Sequence, residues 1–294
     1  MTQKPPKGMK IASPTLHSRG EVFAWYTLRN LVLFAGVVLI AFPMWLVLIN
    51  SFKSLDEASR SFFALPRSIN LDNVRELLSS QNYFHYVFNS VVVTVTSMVI
   101  VAIFVPMVSY AIARNMQRRY YKFLYTYIML GLFIPSQIIM LPIVKQMAAL
   151  NMMNTWGLIL LYVTFSLTRG VFLFVNYIRV LPIEIEEAAQ IDGCTVVQTY
   201  FRIVIHLIKP MISTLVIMDA LWFWNDFQLP LFLLNRSRDH WTLPLFQYNF
   251  KTEYSFDYPM AFTAYIISLL PMLVVYCCCQ KHIINGLTAG AVKS

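Results

Sequence analysis

Six long apolar stretches, each about the length of a bilayer-crossing helix, constrain this chain more than any other feature. About 20 apolar residues in helical form cross the hydrocarbon core of a membrane. A helix also satisfies its own backbone hydrogen bonds in lipid, where water is absent. The predicted spans cover residues 30–50, 85–112, 121–141, 155–178, 211–233 and 259–279. The sequence therefore predicts an all-α membrane protein with six transmembrane helices.

The composition supports this class and argues against a soluble domain. Hydrophobic residues make up 58% of the chain and charged residues 13%, against roughly 45–50% and 25% in average globular proteins. The formal net charge of +9 raises the question of whether the chain binds nucleic acid. However, the basic and aromatic cluster at residues 114–122 lies between two predicted spans, where such residues anchor a protein at the membrane surface. We expect membrane lipid as a partner and no nucleic acid.

The distribution of Lys and Arg predicts the orientation. With the N-terminus in the cytoplasm, fourteen of these residues lie inside and eight outside, and Arg169 lies deep within a span. This excess agrees with the positive-inside rule. We expect a cytoplasmic segment at 1–29, a membrane domain at 30–279 and a cytoplasmic tail at 280–294. The first apolar run has no small-residue cleavage pattern, so it is expected to remain as a span.

A polar, acidic segment at 181–210 separates the fourth and fifth spans. Pro182 suits the first turn of a helix, where its missing N–H has no partner to lose. Glutamates follow in the same turn, where the helix dipole favours anions. Gly193 permits the positive φ of a sharp change of direction. The segment is predicted to form two short helices with a break at Gly193.

This segment resembles a known motif. The order Glu187-Ala188-Ala189, then Gly193, Ile203 and Ile205, is similar to the EAA loop of permease subunits in bacterial ABC importers. The wider similarity runs from Phe52 through EEAAQIDG (186–193) and WNDFQLPL (224–231) to GLTAGAVK (286–293). It resembles the carbohydrate-uptake branch, of the type of the smaller permease subunit of the maltose transporter. Cys194 and the pair Ile205-His206 replace the family's usual Ala and Leu-Pro.

The resemblance implies a type I ABC importer permease fold, with a cytoplasmic coupling-helix loop between helices 4 and 5. It implies partners: a second, related permease subunit as a heterodimer, two ATP-binding-cassette ATPase subunits, a solute-binding protein and a sugar substrate. The implied location is a bacterial or archaeal cell (inner) membrane. The residues implied to couple to the ATPase are Glu186, Glu187, Ala188, Ala189, Asp192 and Gly193. Those of the tail implied to contact the ATPase are Gly286, Leu287, Thr288 and Gly290.

The chain is not expected to be an enzyme. It lacks the G-x-x-x-x-G-K-[ST] loop that cradles nucleotide phosphates, so ATP and Mg would be bound by partner subunits. Cys194 and the run Cys277 to Cys279 have neither disulfide-framework nor zinc-ligand spacing. We expect no catalytic residue, cofactor or metal in this chain.

Arg169 is the least expected residue for its depth, because a charge near mid-bilayer costs about 2.5–3.5 kcal/mol even on the lower scales. It should face a water-filled path or a carboxylate. Asp219 and Asp226 are seven residues apart in the fifth span, with Trp222 between them, and a helix would place all three on one face. Arg169 is predicted to pair with Asp219 or to reach the substrate path. The alternative is a tilted or broken span that leaves Arg169 near a wet interface.

The fifth span also has the composition of a sugar-binding surface. Asp219, Trp222, Asn225 and Asp226 combine an aromatic face with carboxylate and amide groups, which suits a transient site near the midplane. The alternative is a helix–helix interface joined by polar residues. The predicted function is half of the translocation pathway for a sugar or oligosaccharide. Glycerol-3-phosphate or a polyol stays open because permeases of the family that the chain resembles carry such solutes, and Arg169 keeps an acidic sugar open too. A non-transporting scaffold is the alternative from another class.

Overall fold

The computed structural model describes the backbone of residues 19–80, 82–248, 250 and 257–291, and all regular structure in these residues is helical. The α-helices are α1 (Arg19–Ser51), α2 (Leu55–Arg60), α3 (Asp72–Ser79), α4 (Tyr83–Arg114), α5 (Arg119–Leu130), α6 (Ser136–Ala149), α7 (Thr155–Val180), α8 (Glu184–Ile191), α9 (Val196–Thr199), α10 (Ile205–Asn225), α11 (Gln228–Leu234), α12 (Leu243–Tyr248) and α13 (Tyr258–Ala291).

Five stretches within these helices are long and apolar enough to cross a membrane, which confirms a multi-pass membrane protein. They are Trp25–Ser51, Tyr83–Arg114, Thr155–Val180, Val196–Asn225 and Tyr258–Cys277. A sixth span is possible if the bent pair α5 and α6 is counted as one. The first and last helices extend past the predicted spans, at Arg19 and at Ala291.

The third predicted span differs from one straight helix. A 3-10 turn at Gly131–Phe133 follows α5, and the axis then bends by 107° into α6. Ile134 has extended backbone angles (φ −93°, ψ 112°), because a residue before proline is disfavoured in the helical region. Pro135 then precedes the first residue of α6. The bend therefore lies at Pro135, while Pro142 is accommodated inside α6.

The fifth span begins earlier and ends earlier than predicted. A π-helical turn at Tyr200–Val204 joins α9 to α10, so the helical path runs without a break across Pro210, the predicted end of the polar segment. The helix stops at Asn225, and Asp226 has extended backbone angles (φ −70°, ψ 126°) before α11 begins. The predicted span at 211–233 is thus two helices with a corner at Asp226.

The core lies among α4, α7 and α10. Its fully buried side chains include Val101, Val105 and Phe174. At Gly170 of α7, an added Cβ would lie 2.5 Å from Val105 Cγ1 and 3.3 Å from Leu215 Cδ2. Small residues allow membrane helices to approach closely, and at this glycine α7 contacts both neighbours.

The segment between α1 and α4 is fastened to the ends of the long helices. Lys53 is fully buried, and its Nζ donates to Asn50 Oδ1 (3.1 Å) and to the backbone oxygens of Ser61 (2.8 Å) and Phe62 (3.2 Å). The same segment contains the short helix α3, which begins at Asp72.

Helix α1 lies at the periphery and packs against α13. Only 6% of its most apolar window is buried inside the structure, compared with 50% for α7.

Candidate functional site

The polar segment after α7 forms the two short helices that the sequence predicts. Helix α8 ends at Ile191, and Gly193 then adopts φ +85°, as expected for a sharp change of direction. Helix α9 begins with a capping box, in which Thr195 Oγ1 accepts from the Gln198 N–H and the Gln198 side chain accepts from the Thr195 N–H. Each change of direction therefore has a local cause in the sequence.

The predicted coupling residues fall on two faces of this segment. Glu187, Ala188, Asp192 and Gly193 are exposed, whereas Glu186 and Ala189 are buried. The exposed surface also contains three apolar side chains that sequence reasoning did not single out: Ile191 (86% exposed), Val196 (59%) and Val197 (65%). A monomeric soluble surface seldom groups such residues, so this surface has the properties of a protein interface.

Glu186 is held inside the chain. Its carboxylate accepts hydrogen bonds from Tyr110 and Arg114, both near the end of α4. No spacing rule connects positions 72 residues apart, and Arg114 alone had the properties of a membrane-surface anchor. The sequence therefore offered no signal for this contact.

The second candidate site is a cavity of about 330 Å³ next to the bend between α5 and α6. Its wall comes from that bend, from α7 and from the corner between α10 and α11. The lining residues used below are Ser136, Phe165, Arg169, Trp222, Asp226 and Gln228. Three of the five residues predicted for a substrate pathway, Arg169, Trp222 and Asp226, therefore meet at one cavity.

Arg169 pairs with Asp219, as predicted. Its Nη2 lies 3.1 Å from Asp219 Oδ1, and the Ser166 hydroxyl donates to the other oxygen of the same carboxylate. The guanidinium also lies over the Trp222 ring, 4.4 Å from its centroid. Asp219 is buried behind these groups and does not line the cavity. The charge of Arg169 is thus balanced within the chain.

Asp226 reaches the cavity from the corner rather than from the helix face that the spacing predicted. Its carboxylate accepts from the Tyr162 hydroxyl (3.0 Å) and from the N–H groups of Gln228 (3.2 Å) and Leu229 (3.3 Å). The Tyr162 ring contacts Trp222, with centroids 5.4 Å apart. Tyr162 and Ser166 went unnoticed in the sequence, although their spacing of seven and three residues before Arg169 puts them on its helix face.

Asn225 is the predicted pathway residue that the structure places elsewhere. Its side chain donates to Leu221 O (2.7 Å) and lines a different, largely apolar cavity of about 790 Å³ beside α1, α12 and α13. Asn225 is the last residue of α10 and lies three residues after Trp222, yet the two side chains line different cavities.

The four tail residues, Gly286, Leu287, Thr288 and Gly290, lie in the last turns of α13. Their backbone is helical. Within the described residues, no group of three or more His, Cys, Asp or Glu side chains could hold a metal ion.

Comparisons with known proteins agree with this architecture. Residues 106–288 match the family model described as "Binding-protein-dependent transport system inner membrane component". The multiple sugar-binding transport system permease protein MsmG of Streptococcus mutans is 43% identical over 270 residues, covering 91% of this chain and 97% of MsmG. The probable starch degradation products transport system permease protein AmyC of Thermoanaerobacterium thermosulfurigenes is 32% identical, with coverage of 90% and 97%.

A solved structure shows the same fold. A chain of a bacterial ABC transporter involved in the import of the acidic polysaccharide alginate superimposes with a TM-score of 0.76 at 21% identity, covering 90% of this chain and 98% of that one. The resemblance noted in the sequence is thereby confirmed. This chain belongs to the family of inner-membrane components of binding-protein-dependent transport systems and has an ABC importer permease fold.

Proposed function

We propose that this chain forms half of the translocation pathway for an uncharged sugar or oligosaccharide. The observation that supports this most directly is the cavity wall, where the Trp222 ring and the Phe165 side chain are accompanied by Asp226 and Gln228. Apolar sugar faces stack on aromatic rings, and sugar hydroxyls bond to carboxylates and amides. The names of the relatives, a multiple sugar permease and a starch-product permease, support the same substrate class.

The charges at the cavity favour an uncharged substrate over an acidic one. Arg169 is paired with Asp219 and lies over Trp222. Asp226 adds a second carboxylate to the same wall. The formal charges of Arg169, Asp219 and Asp226 add up to −1. An anionic solute such as glycerol-3-phosphate would meet this carboxylate without a free cation to balance it, and a like charge disfavours binding.

The energy for transport would come from partner subunits. The exposed face of α8 and α9, with Glu187, Asp192, Ile191 and Val196, would dock into an ATPase subunit on the cytoplasmic side. ATP and Mg would be bound there and not by this chain. Gly286 and its neighbours at the end of α13 would contact the ATPase pair. The motion would pass along α7 and α10, because the docking segment directly joins these two helices.

The remaining partners follow from the same proposal. Six spans without an internal repeat would form half of a pathway, so a second, related permease subunit would complete it as a heterodimer. A solute-binding protein would deliver the sugar from outside. The N-terminus and the tail would lie in the cytoplasm of a bacterial or archaeal cell.

Transport by the purified complex tests this proposal. The tagged chain is isolated from its native membranes with the subunits that accompany it and placed in liposomes containing ATP. Uptake of a neutral trisaccharide is compared with that of an acidic one of equal length in the presence of the binding protein. Trp222→Ala is expected to lower neutral-sugar uptake at least tenfold, whereas Trp156→Ala, at a 67% exposed position outside the cavity, is not. Equal uptake of the two sugars contradicts the proposal. So does the absence of uptake of either sugar while the ATPase is active.

A further inference from the structure

The last turns of α4 hold the coupling segment, defined here as residues 181–204, at more than one point. Arg114 donates from Nε and Nη2 to Glu186 Oε1, at 2.9 and 2.6 Å. The Tyr110 hydroxyl donates to the other carboxylate oxygen at 2.9 Å. Arg114 Nη2 also lies 3.3 Å from the carbonyl oxygen of Leu181, where α7 ends. One turn of α4 thus binds both the start of the segment and its first helix.

These groups are withdrawn from the surface that would face a partner. Glu186 is 4% exposed and Tyr110 8% exposed, and the Arg114 side chain is 15% exposed. Both oxygens of the Glu186 carboxylate are occupied by donors from the same chain. The neighbouring Glu187 is exposed, and among the described residues it forms no ion pair. The two adjacent glutamates therefore have different surroundings and different possible roles.

Tyr110 also contacts the second half of the segment. Its ring lies 5.2 Å from the ring of Tyr200, in the π-helical turn that leads into α10. Tyr200 is itself buried. The end of α4 therefore contacts the coupling segment on both sides of the break at Gly193. Helix α4 also packs closely along α7 at Gly170, so a displacement of the segment reaches a third long helix as well as α7 and α10.

We propose that Arg114 and Glu186 are positioning residues that fasten the coupling segment to α4, and that Glu186 is not part of the ATPase-docking surface. This inference depends on the proposed function, since it concerns how an ATPase-driven displacement is transmitted. Helix α8 has only eight residues, and an isolated helix of that length is marginal. The ion pair supplies the rigid connection that α8 lacks. Without the ion pair, the ATPase would displace the coupling segment, but this displacement would not be transmitted to α4.

The test is the number of ATP molecules hydrolysed per sugar transported, measured with the whole complex in liposomes. Glu186→Gln keeps the side-chain size, Arg114→Gln keeps a polar but shorter side chain, and each removes one charge. Each is expected to raise this ratio at least fivefold while the ATPase subunits stay bound. The exchanged double variant, Arg114→Glu with Glu186→Arg, is expected to return the ratio to within twofold of the wild-type complex. Loss of local packing alone does not predict recovery by charge exchange.

Glu76→Gln is the matched control, because it removes an exposed glutamate from α3, another eight-residue helix, which lies outside the coupling segment. It is expected to leave the ratio unchanged. An unchanged ratio in Glu186→Gln overturns the inference. So does release of the ATPase by Glu186→Gln to the extent seen with Glu187→Gln, since that result puts Glu186 at the docking surface. A ratio that stays high in an exchanged variant as heat-stable as the wild-type complex also overturns it.

The wild-type complex, measured in parallel, separates this inference from the proposed function. A wild-type complex in which sugar does not stimulate ATP hydrolysis contradicts the proposed function, and with it the coupling role of Glu186. A coupled wild-type complex with equally coupled single variants contradicts only the positioning role.

Discussion

Arg169 of α7 and Asp219 of α10 form an ion pair, with 3.1 Å between Nη2 and Oδ1, across the two helices that the coupling segment joins. The pair is asymmetric: the Asp219 side chain is 3% exposed, whereas 44% of the Arg169 side chain is open to the cavity. The pair therefore connects the two helices, and its Arg169 side also forms part of the cavity wall.

Removing the carboxylate from this pair is expected to destabilise the protein. Asp219→Asn leaves Arg169 without its counter-charge. Breaking a fully buried pair costs about 3–5 kcal/mol, and the partial exposure of Arg169 lowers the expected loss to about 1–3 kcal/mol. Thermal unfolding of the complex in liposomes checks this. The double variant Arg169→Met with Asp219→Leu is expected to recover stability but not sugar uptake. An Asp219→Asn variant as stable as the wild type contradicts the prediction.

Gly170→Ala is expected to push α4 and α7 apart. The new methyl group would lie 2.5 Å from Val105 Cγ1, and overpacking of this kind costs about 1–3 kcal/mol. Val105→Ala removes the obstructing methyl groups at the price of a small void. The double variant should therefore be less destabilised than the sum of the two single variants, as expected for residues in contact. Additive losses in a thermal double-mutant cycle would show that the two positions are not in contact.

Gly193→Ala tests the backbone alone. Apart from its chain neighbours, no atom of the described residues lies within 4 Å of a Cβ added at this position, but its φ is +85°. A side chain in this left-handed region costs about 1–2 kcal/mol. Gly193→Asn should cost less, because asparagine adopts this region more readily. Unfolding temperatures and ATP hydrolysis per sugar transported are the measurements. Equal effects of Ala and Asn would instead indicate that a partner subunit occupies the space that a side chain at this position would fill.

Lys53 predicts a dependence of stability on alkaline pH. Burial lowers the pKa of Lys53 below its usual value of 10.5, and the nearby Glu57 opposes this effect only partly. Between the lowered pKa and 10.5 the unfolded chain binds more protons than the folded one. The free energy of unfolding should therefore rise with pH in that window and stay constant below it.

The comparison with Lys53→Met isolates this group from others that titrate at the same pH. The wild-type chain should gain stability relative to the variant as the pH approaches 10.5. The difference should be flat below the window. A wild-type stability that falls or stays level relative to that of the variant across the whole range contradicts the burial of a charged lysine at this position.

Much of the architecture was predictable, because an apolar run of membrane length permits few structures. The exceptions are local. The third apolar run bends at Pro135, and the sequence contained two candidate prolines without indicating which one breaks the helix. Pro210 marked the expected end of the polar segment, yet the helical path continues across it after the π turn at Tyr200–Val204. Such choices depend on packing between helices that are distant in sequence.

In the candidate sites, too, some residues could be predicted from the sequence and others could not. A charge at the depth of Arg169 required a counter-charge. Asp219 could be predicted for this role because it is a carboxylate in the neighbouring predicted span. Asn225 was assigned with its neighbours by composition, but its direction on the helix leads to another cavity. The contact between Arg114 and Glu186 depends on how α4 and α8 approach each other. A charge at a membrane surface has an adequate explanation without a partner, so this contact could be found only from the structure.

Helix α1 is covered by the rest of the chain mainly along its contact with α13, since only 6% of its most apolar window is buried. Its position is therefore determined by the surrounding medium and by neighbouring subunits more than by its own fold. Detergent extraction replaces that medium with a micelle, and α1 is the helix whose placement should change first. Structures of this family member determined in micelles and in nanodiscs should accordingly agree in α4, α7 and α10 and differ in α1.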